Sequence, residues 1–229
     1  MLDTVAWVSI AVALASALWI GLDELRHPQH MGIMNVVWPV SALYFSVFAV
    51  WAYYPLGRKK TREAMAAMQH GSPQNNQPHT RPGAAQVAVG TSHCGAGCML
   101  ADVGTEFAIA TAGITLLGSV LWAEYALDLA VAWVFGIVFQ YFAIQPMRHL
   151  PFAQAVVAAI KADTLSILAF QVGMYAWMAL TYFVLFPHPH LTPFRPGYWL
   201  MMQIGMICGF ATSYPMNRLL IRKGLKEAM

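Results

Sequence analysis

Residues 5–22 read VAWVSIAVALASALWIGL, an apolar run without a charged side chain. A helix needs about 20 apolar residues to cross the roughly 30 Å hydrocarbon core of a bilayer. The whole chain has this character, because 59% of its 229 residues are hydrophobic and 10% are charged, against about 25% charged in soluble domains. Asp3 precedes the run and no basic residue does, so we expect a retained membrane helix rather than a cleaved signal peptide.

Similar runs recur along the chain and predict an all-α fold, a polytopic bundle of six transmembrane helices. The runs cover residues 4–22, 32–54, 99–121, 125–146, 162–186 and 197–219. A long hydrophilic segment separates the second run from the third, and its first part could extend the second helix into water. We therefore divide the chain into three parts, a first transmembrane hairpin (1–56), a cytoplasmic polar linker (57–92) and a four-helix transmembrane domain (93–229).

The fourth and sixth helices share a feature at their ends. Each carries a Pro-Met pair close to an arginine, at Pro146–Arg148 and Pro215–Arg218. The match is compatible with a duplicated helical hairpin of the kind found in transporters. The alternative is that each proline only kinks or ends its helix.

The distribution of basic residues predicts an orientation. If there are six spans, eleven of the 13 Lys and Arg residues fall on the side of the linker and of both chain ends, and only Arg26 and Arg195 fall on the other side. The positive-inside rule then places both ends in the cytoplasm of a prokaryotic cell, with the helices in its inner membrane. A net charge of +3 gives no reason to expect a nucleic-acid partner.

The outer loops of this arrangement collect histidines. His27 and His30 follow the first span, and His188 and His190 follow the fifth. All four are expected to face outward, where they could capture a metal ion; solvated loop histidines are the alternative for each pair.

Soft metal ligands cluster at the predicted start of the third span. His93-Cys94-Gly95-Ala96-Gly97-Cys98 is followed by Asp102 and Glu106. Residues four apart lie on neighbouring turns of a helix, so Cys94, Cys98, Asp102 and Glu106 are expected to form one stripe. Thiolate and imidazole prefer Cu(I) or Zn, and carboxylates inside a membrane are costly enough to indicate function.

These residues leave alternatives open. His93, Cys94 and Cys98 form a metal site, or the two thiols are buried and inert, or they are a redox pair, for which Cys-x3-Cys spacing is less typical than Cys-x2-Cys. Glu124 is interpreted as an interfacial residue. A path through the bundle could also use Asp128, Asp163, Met201 and Met206, although buried methionines are usually packing residues.

The motif residues also carry a resemblance. From its second predicted span to its end, with the linker excepted, the chain resembles a prokaryotic membrane family catalogued only as domain of unknown function 4396. The resemblance implies a membrane fold and supports the choice of motif residues, but it implies no activity. It rests on His93–Cys98 with Asp102, Asn35–Pro39, Lys161–Asp163, Met201–Met206, Tyr214–Asn217 and Lys226–Met229.

The leading hypothesis is a membrane protein that binds a soft transition metal, copper before zinc, and transports it or delivers it to a cytosolic metallochaperone. A second hypothesis is a membrane thiol oxidoreductase that uses Cys94 and Cys98. A third is an accessory subunit of a membrane complex, in which the polar stripe only holds helices together or docks a larger partner. The common enzyme signatures are absent, so no catalytic residue is assigned, and assembly as a homo-oligomer is left open.

Overall fold

The computed structural model describes residues 1–71, 83–148 and 150–226, and in these ranges it contains helices and no β-strand. The all-α prediction is therefore confirmed. Short 3-10 and π segments follow α3 and α7, at Arg58–Lys60 and Thr181–Leu185. The helices are α1 (Leu2–Arg26), α2 (Met34–Phe45), α3 (Val47–Leu56), α4 (Arg62–Gly71), α5 (Ala84–Ala112), α6 (Val120–Arg148), α7 (Phe152–Leu180) and α8 (Pro196–Arg222).

Within the described part of the chain, three helical segments combine the length and hydropathy needed to cross a membrane. They are Leu2–Arg26, Val120–Ile144 and Phe152–Leu185. The first of them lies on the outside of the bundle, since Trp7, Leu18 and Trp19 are largely exposed. A helix with such side chains on its surface suits a lipid environment.

The prediction of a continuous span over residues 32–54 is wrong, because the chain reverses at Ser46. This serine has a φ of 51°, in the left-handed region that non-glycine residues seldom adopt. After the reversal α3 runs back along α2, and the rings of Trp38 and Tyr53 pack edge to face with centroids 5.6 Å apart. At 1.5 Å per residue the two helices are about 18 and 15 Å long, which is roughly half of a bilayer core.

The base of this α2–α3 hairpin is closed by backbone contacts. Gln29 and Thr61 form an isolated bridge, and the amide of Arg62 donates to the carbonyl of Pro28 over 3.0 Å. The hairpin therefore starts and finishes at the same end of the bundle.

The tip of the hairpin is held by two other helices. The side-chain amide of Gln203 on α8 donates to the carbonyl of Leu43 over 2.8 Å. Its oxygen accepts a hydrogen bond from the Ser9 hydroxyl of α1 over 2.6 Å. The carbonyl of Leu43 is one of those that a helix leaves free at its C-terminus, so Gln203 supplies its partner.

Helix α5 is the centre of the bundle and contacts α2, α6, α7 and α8. It begins at Ala84, so residues 84–92 belong to a helix and not to the predicted linker, and the Cys94 motif lies inside the helix rather than at its start. The small residues of this stretch lower its hydropathy, so the hydropathy pattern does not predict a helix there. The helices α5 and α6 pack closely at Gly97, where a Cβ would lie 3.5 Å from the backbone nitrogen of Gly136, in ordinary van der Waals contact.

The two ends of the bundle are defined here by their loops. The hairpin end carries the hairpin base, the start of α5 and the end of α8, where the Tyr214 hydroxyl donates to the carbonyl of Ala84. The loop end carries loops 113–119 and 186–195 and the start of α1, where Gly197 lies beside Leu2. The start of α1 and the end of α8 are thus at opposite ends, whereas six crossings would have put them at the same end.

Reversal of the chain at Ser46 also separates the histidines. His30 lies at the hairpin end, where its amide donates to the carbonyl of Lys60, and His27 contacts Arg58 there. His188 and His190 lie in the loop 186–195 at the other end. The prediction that all four share one side is therefore wrong.

Both prolines of the proposed repeat lie within helices, Pro146 in α6 and Pro215 in α8. Neither ends its helix, and the duplicated hairpin stays a prediction.

Candidate functional site

Helix α5 carries a column of buried polar side chains. His93, Cys94, Cys98, Asp102 and Glu106 are each at most 2% exposed. Steps of four residues advance about 6 Å along a helix, so the column runs from the half near the hairpin end into the half near the loop end. It connects two polar clusters of different chemistry.

The first, which we call the thiol cluster, consists of Cys94, Asp163, Ser166, Ser213, Asn217 and Lys226. The Cys94 thiol donates to Asp163 Oδ1 over 2.8 Å and lies 3.0 Å from Ser166 Oγ. The Lys226 ammonium donates to the same Asp163 oxygen over 2.6 Å and to Cys94 Sγ over 3.2 Å. Both charged side chains are completely buried, so the thiol cluster contains a desolvated ion pair.

Two further residues connect this ion pair to α8. Ser166 Oγ lies 3.2 Å from Ser213 Oγ, and the Asn217 side-chain amide donates to Ser213 Oγ over 2.9 Å. Burial alone would lower the pKa of Lys226, which follows the last helix, but the Asp163 carboxylate and the Cys94 sulfur raise that pKa above its usual value. The Asp163 and Cys94 neighbours therefore favour the ammonium form of Lys226.

The second, which we call the carboxyl cluster, consists of Asp102 and Glu106 from α5 with Glu124 and Asp128 from α6. Glu106 is a near neighbour of both Glu124 and Asp128, and the Thr105 hydroxyl donates to Asp128 Oδ1. All four carboxyl groups are less than 9% exposed. Within the described residues, no lysine or arginine forms an ion pair with any of them.

Several polar atoms of the carboxyl cluster lack partners. Neither oxygen of Asp102 accepts a hydrogen bond from a described residue, and the same is true of Glu106 Oε2. The Tyr198 hydroxyl of α8 lies next to Glu106 but forms no hydrogen bond of standard geometry with a described residue. Buried polar atoms usually have partners, so this group of atoms has unused capacity to bind a proton or a cation.

A cavity of about 310 Å³ leads from the loop end toward the carboxyl cluster. Glu124 and Tyr198 line its inner part, and His190 and Phe194 of loop 186–195 line its outer part. The ring of His190 stacks on Tyr182 with centroids 3.7 Å apart. Of the four loop histidines of the sequence analysis, His190 thus lines this cavity, with His188 beside it at 5.2 Å between ring centroids.

The predicted metal ligands are not assembled as expected. The His93 ring packs against Phe139, with centroids 5.7 Å apart, and neither ring nitrogen has a hydrogen-bond partner in the described part of the chain. Cys94 and Cys98 are free thiols. Over residues 1–71, 83–148 and 150–226, no group of three or more His, Cys, Asp and Glu side chains is arranged to hold a metal ion.

The sequence analysis missed residues in both clusters. Glu124, interpreted there as interfacial, is buried beside Glu106, and its spacing of four from Asp128 places both on one face of α6. Lys226 was counted only as a positive charge near the chain end. Met201 and Met206, named as path residues, are buried in the bundle.

Comparison with known proteins places most of this site in one family. No curated protein and no solved structure matches the chain. One family does match, over residues 85–226, which run from the start of α5 to Lys226 and include both clusters. Because this match covers more than half of the sequence, the chain belongs to the family described as a domain of unknown function (DUF4396).

Proposed function

We propose that this protein is a polytopic membrane protein that moves a cation across the bilayer along the polar column of α5. The first candidate for that cation is the proton, alone or in exchange for a metal ion. The second candidate is a soft metal ion such as Cu(I).

The proposed topology has five crossing helices, α1, α5, α6, α7 and α8, and one re-entrant hairpin, α2–α3. Each crossing helix has at least 25 residues, whereas neither hairpin helix can span a bilayer core. Of the 13 Lys and Arg residues, Arg81 lies outside the described residues, and of the other twelve only Arg195 lies at the loop end. The positive-inside rule then places the hairpin end in the cytoplasm and the start of α1 outside.

The observation that carries the proposal is the uncompensated carboxyl cluster. Four buried carboxyl groups lie together without a described cationic side chain. Burying several negative charges without compensation is very costly, so each carboxyl has to be protonated or paired with a bound cation. Intramembrane carboxyl groups of this kind are typical of proton relays and ion pathways.

The proposed route begins in the cavity at the loop end. A cation entering there would pass Glu124 and reach Glu106 and Asp102, and would then follow Cys98 to Cys94 and Asp163 at the hairpin end. Cys98 lies between the two clusters and is near both Asp102 and Cys94. Four of these groups follow one another on α5, and Glu124 of α6 and Asp163 of α7 extend the route at its two ends.

Proton translocation can be measured in proteoliposomes. A valinomycin-generated potassium potential would drive proton entry, which an internal pH dye would report. We expect Asp102→Asn and Glu106→Gln to lower the rate by about tenfold or more, because an amide carries no exchangeable carboxyl proton. Glu63→Gln on the exposed face of α4 is the matched control. A wild-type rate equal to that of protein-free liposomes would refute proton transport.

The copper hypothesis is tested in the same vesicles. It is supported by the burial of Met201 and Met206 and by the two free thiols of α5, since thioether and thiolate are ligands that select Cu(I). Copper uptake should then be lost in a Cys94→Ser/Cys98→Ser double variant, and a cytosolic metallochaperone would take the ion from Cys94. Unchanged uptake in the double variant would eliminate this candidate.

A further inference from the structure

We infer that the Asp163–Cys94 pair is a second cation site at the hairpin end of the column, and that the Lys226 ammonium occupies it as a tethered substitute for a borderline-soft divalent ion. This inference rests on the proposed function and deepens it. It assigns Lys226 a competitive role, in which the ammonium and the metal ion exclude each other.

The geometry around the ammonium is that of a small cation site. Lys226 Nζ contacts one carboxylate oxygen and one sulfur, at 2.6 and 3.2 Å. Ser166 Oγ adds a hydroxyl 3.0 Å from that sulfur. A lysine ammonium is a compact point charge, so in this site it supplies the positive charge that a metal ion would otherwise supply.

The proposed metal ligands lie on helices, whereas the ammonium that occupies the site comes from a turn. Asp163, Cys94 and Ser166 project from the helices α5 and α7, whereas Lys226 follows the end of α8. Gly224, with a φ of 70°, directs the chain out of the helix, and the amides of Leu225 and Lys226 both donate to the carbonyl of Leu220. The ammonium can therefore leave by a change in one turn while the ligands stay in place.

The site also has spare ligand capacity. Asp163 Oδ2 is buried and accepts no hydrogen bond from the described residues. Carboxylate and thiolate are both ligands of Zn²⁺ and of its close chemical analogue Cd²⁺, and together their two negative charges match the charge of a divalent ion. With the ammonium displaced, these groups would neutralise and hold a divalent ion.

Cadmium binding tests the inference directly. Full-length protein in detergent, with Cys98→Ser and Cys208→Ser so that Cys94 is the only thiol, would be equilibrated with Cd²⁺ by dialysis and its metal content counted by mass spectrometry. Removing the competitor with Lys226→Met should lower the apparent Kd for Cd²⁺ by about tenfold or more, because the fraction of competent sites rises. The exposed Lys223→Met is the matched control and should behave like the parent.

The ligand role of Asp163 has its own variant. Asp163→Asn/Lys226→Met removes both charges of the pair and should lose the gained affinity. The inference would be overturned if Lys226→Met bound Cd²⁺ no better than Lys223→Met, or if the double variant bound it as well as Lys226→Met does.

A measurement on the unaltered protein remains decisive if Lys226→Met does not fold. Amine-reactive labelling of Lys226, read by mass spectrometry, should increase when Cd²⁺ is added, because the displaced ammonium becomes accessible. Labelling that stays unchanged at saturating Cd²⁺ would overturn the inference. Neither result depends on proton flux, so the failure of this site and the failure of the proposed transport function are distinguishable.

Discussion

The two halves of the polar column balance charge in opposite ways. In the thiol cluster one carboxylate, Asp163, is paired with one ammonium, Lys226, at 2.6 Å. In the carboxyl cluster four carboxyl groups lie together, and no described side chain offers them a positive charge. The difference indicates that the charges of the thiol cluster are balanced by its own side chains. The carboxyl cluster instead needs bound protons or cations to balance its charge.

The largest expected effect concerns the side of the membrane that each half of the polar column faces. In a background with Cys94, Cys98 and Cys208 replaced by serine, Asp3→Cys and Lys223→Cys should react with a membrane-impermeant thiol reagent from opposite sides. This is expected because, in the proposed topology, the re-entrant hairpin makes the number of crossings odd. Labelling of both positions from the same side in oriented vesicles would restore a six-span topology and reverse the assignment of the two halves.

The ion pair offers the second test of this difference in charge balance between the two clusters. Lys226→Met leaves Asp163 buried without a cation, which should lower the free energy of unfolding by about 3–5 kcal/mol. Asp163→Asn/Lys226→Met removes both charges and should recover most of that loss. Denaturation of the three proteins in the same detergent would measure this, and equal stability of single and double variants would contradict a charge-based explanation.

A steric change behind the ion pair should have a smaller effect. A Cβ at Gly136 would lie 2.3 Å from Ile167 Cδ1 and 3.1 Å from Asp163 Oδ2, so Gly136→Ala should destabilise the thiol cluster by about 1–3 kcal/mol. Gly104→Ala on α5 is the control, because its Cβ would meet no atom within 4 Å. It should be neutral or stabilising by up to about 1 kcal/mol, since alanine is the better helix former. Thermal denaturation of both variants would separate the two cases, and a Gly136→Ala protein as stable as Gly104→Ala would show that α6 can shift freely.

Removing a charge from the carboxyl cluster should have the smallest effect on stability. Asp102→Asn is expected to change the free energy of unfolding by about 1 kcal/mol or less, because no described residue forms a hydrogen bond with either oxygen of Asp102. The same denaturation assay compares this variant with Asp163→Asn, which leaves a buried ammonium unpaired and should be clearly destabilised. A loss at Asp102 as large as the loss at Asp163 would mean that the two clusters do not differ in charge balance.

Much of the fold could be predicted from the sequence, because hydrophobic composition and the length of each apolar run indicate whether a helix faces lipid or water. The all-α bundle and the choice of Asp102 and Glu106 as buried polar residues came from that information. The reversal at Ser46 did not, because a hydropathy window is the same for one long helix and for two short antiparallel ones. Pro39 and Pro55 on either side of Ser46 were the available signal of an interrupted helix.

The candidate site was harder to predict, since its partners come from distant parts of the chain. Cys94 and Asp163 are 69 residues apart in sequence, and Cys94 and Lys226 are 132 apart. Spacing along one helix gives the stripe on α5 but says nothing about which helix faces it. Lys226 also resembles an ordinary basic residue of a cytoplasmic flank, so its burial had no local signature.

The hydrogen bonds of Gln203 have a consequence for the assembly of the molecule. A carbonyl exposed at the end of α2 would be tolerated in water but is expensive within hydrocarbon, and Gln203 Nε2 takes the place of a water molecule for Leu43. That amide is itself oriented by Ser9 of α1. In the proposed topology, where the hairpin tip lies in the membrane interior, this carbonyl is satisfied only by a glutamine encoded 160 residues after it, so the short hairpin and the last helix would depend on each other for stability in the bilayer.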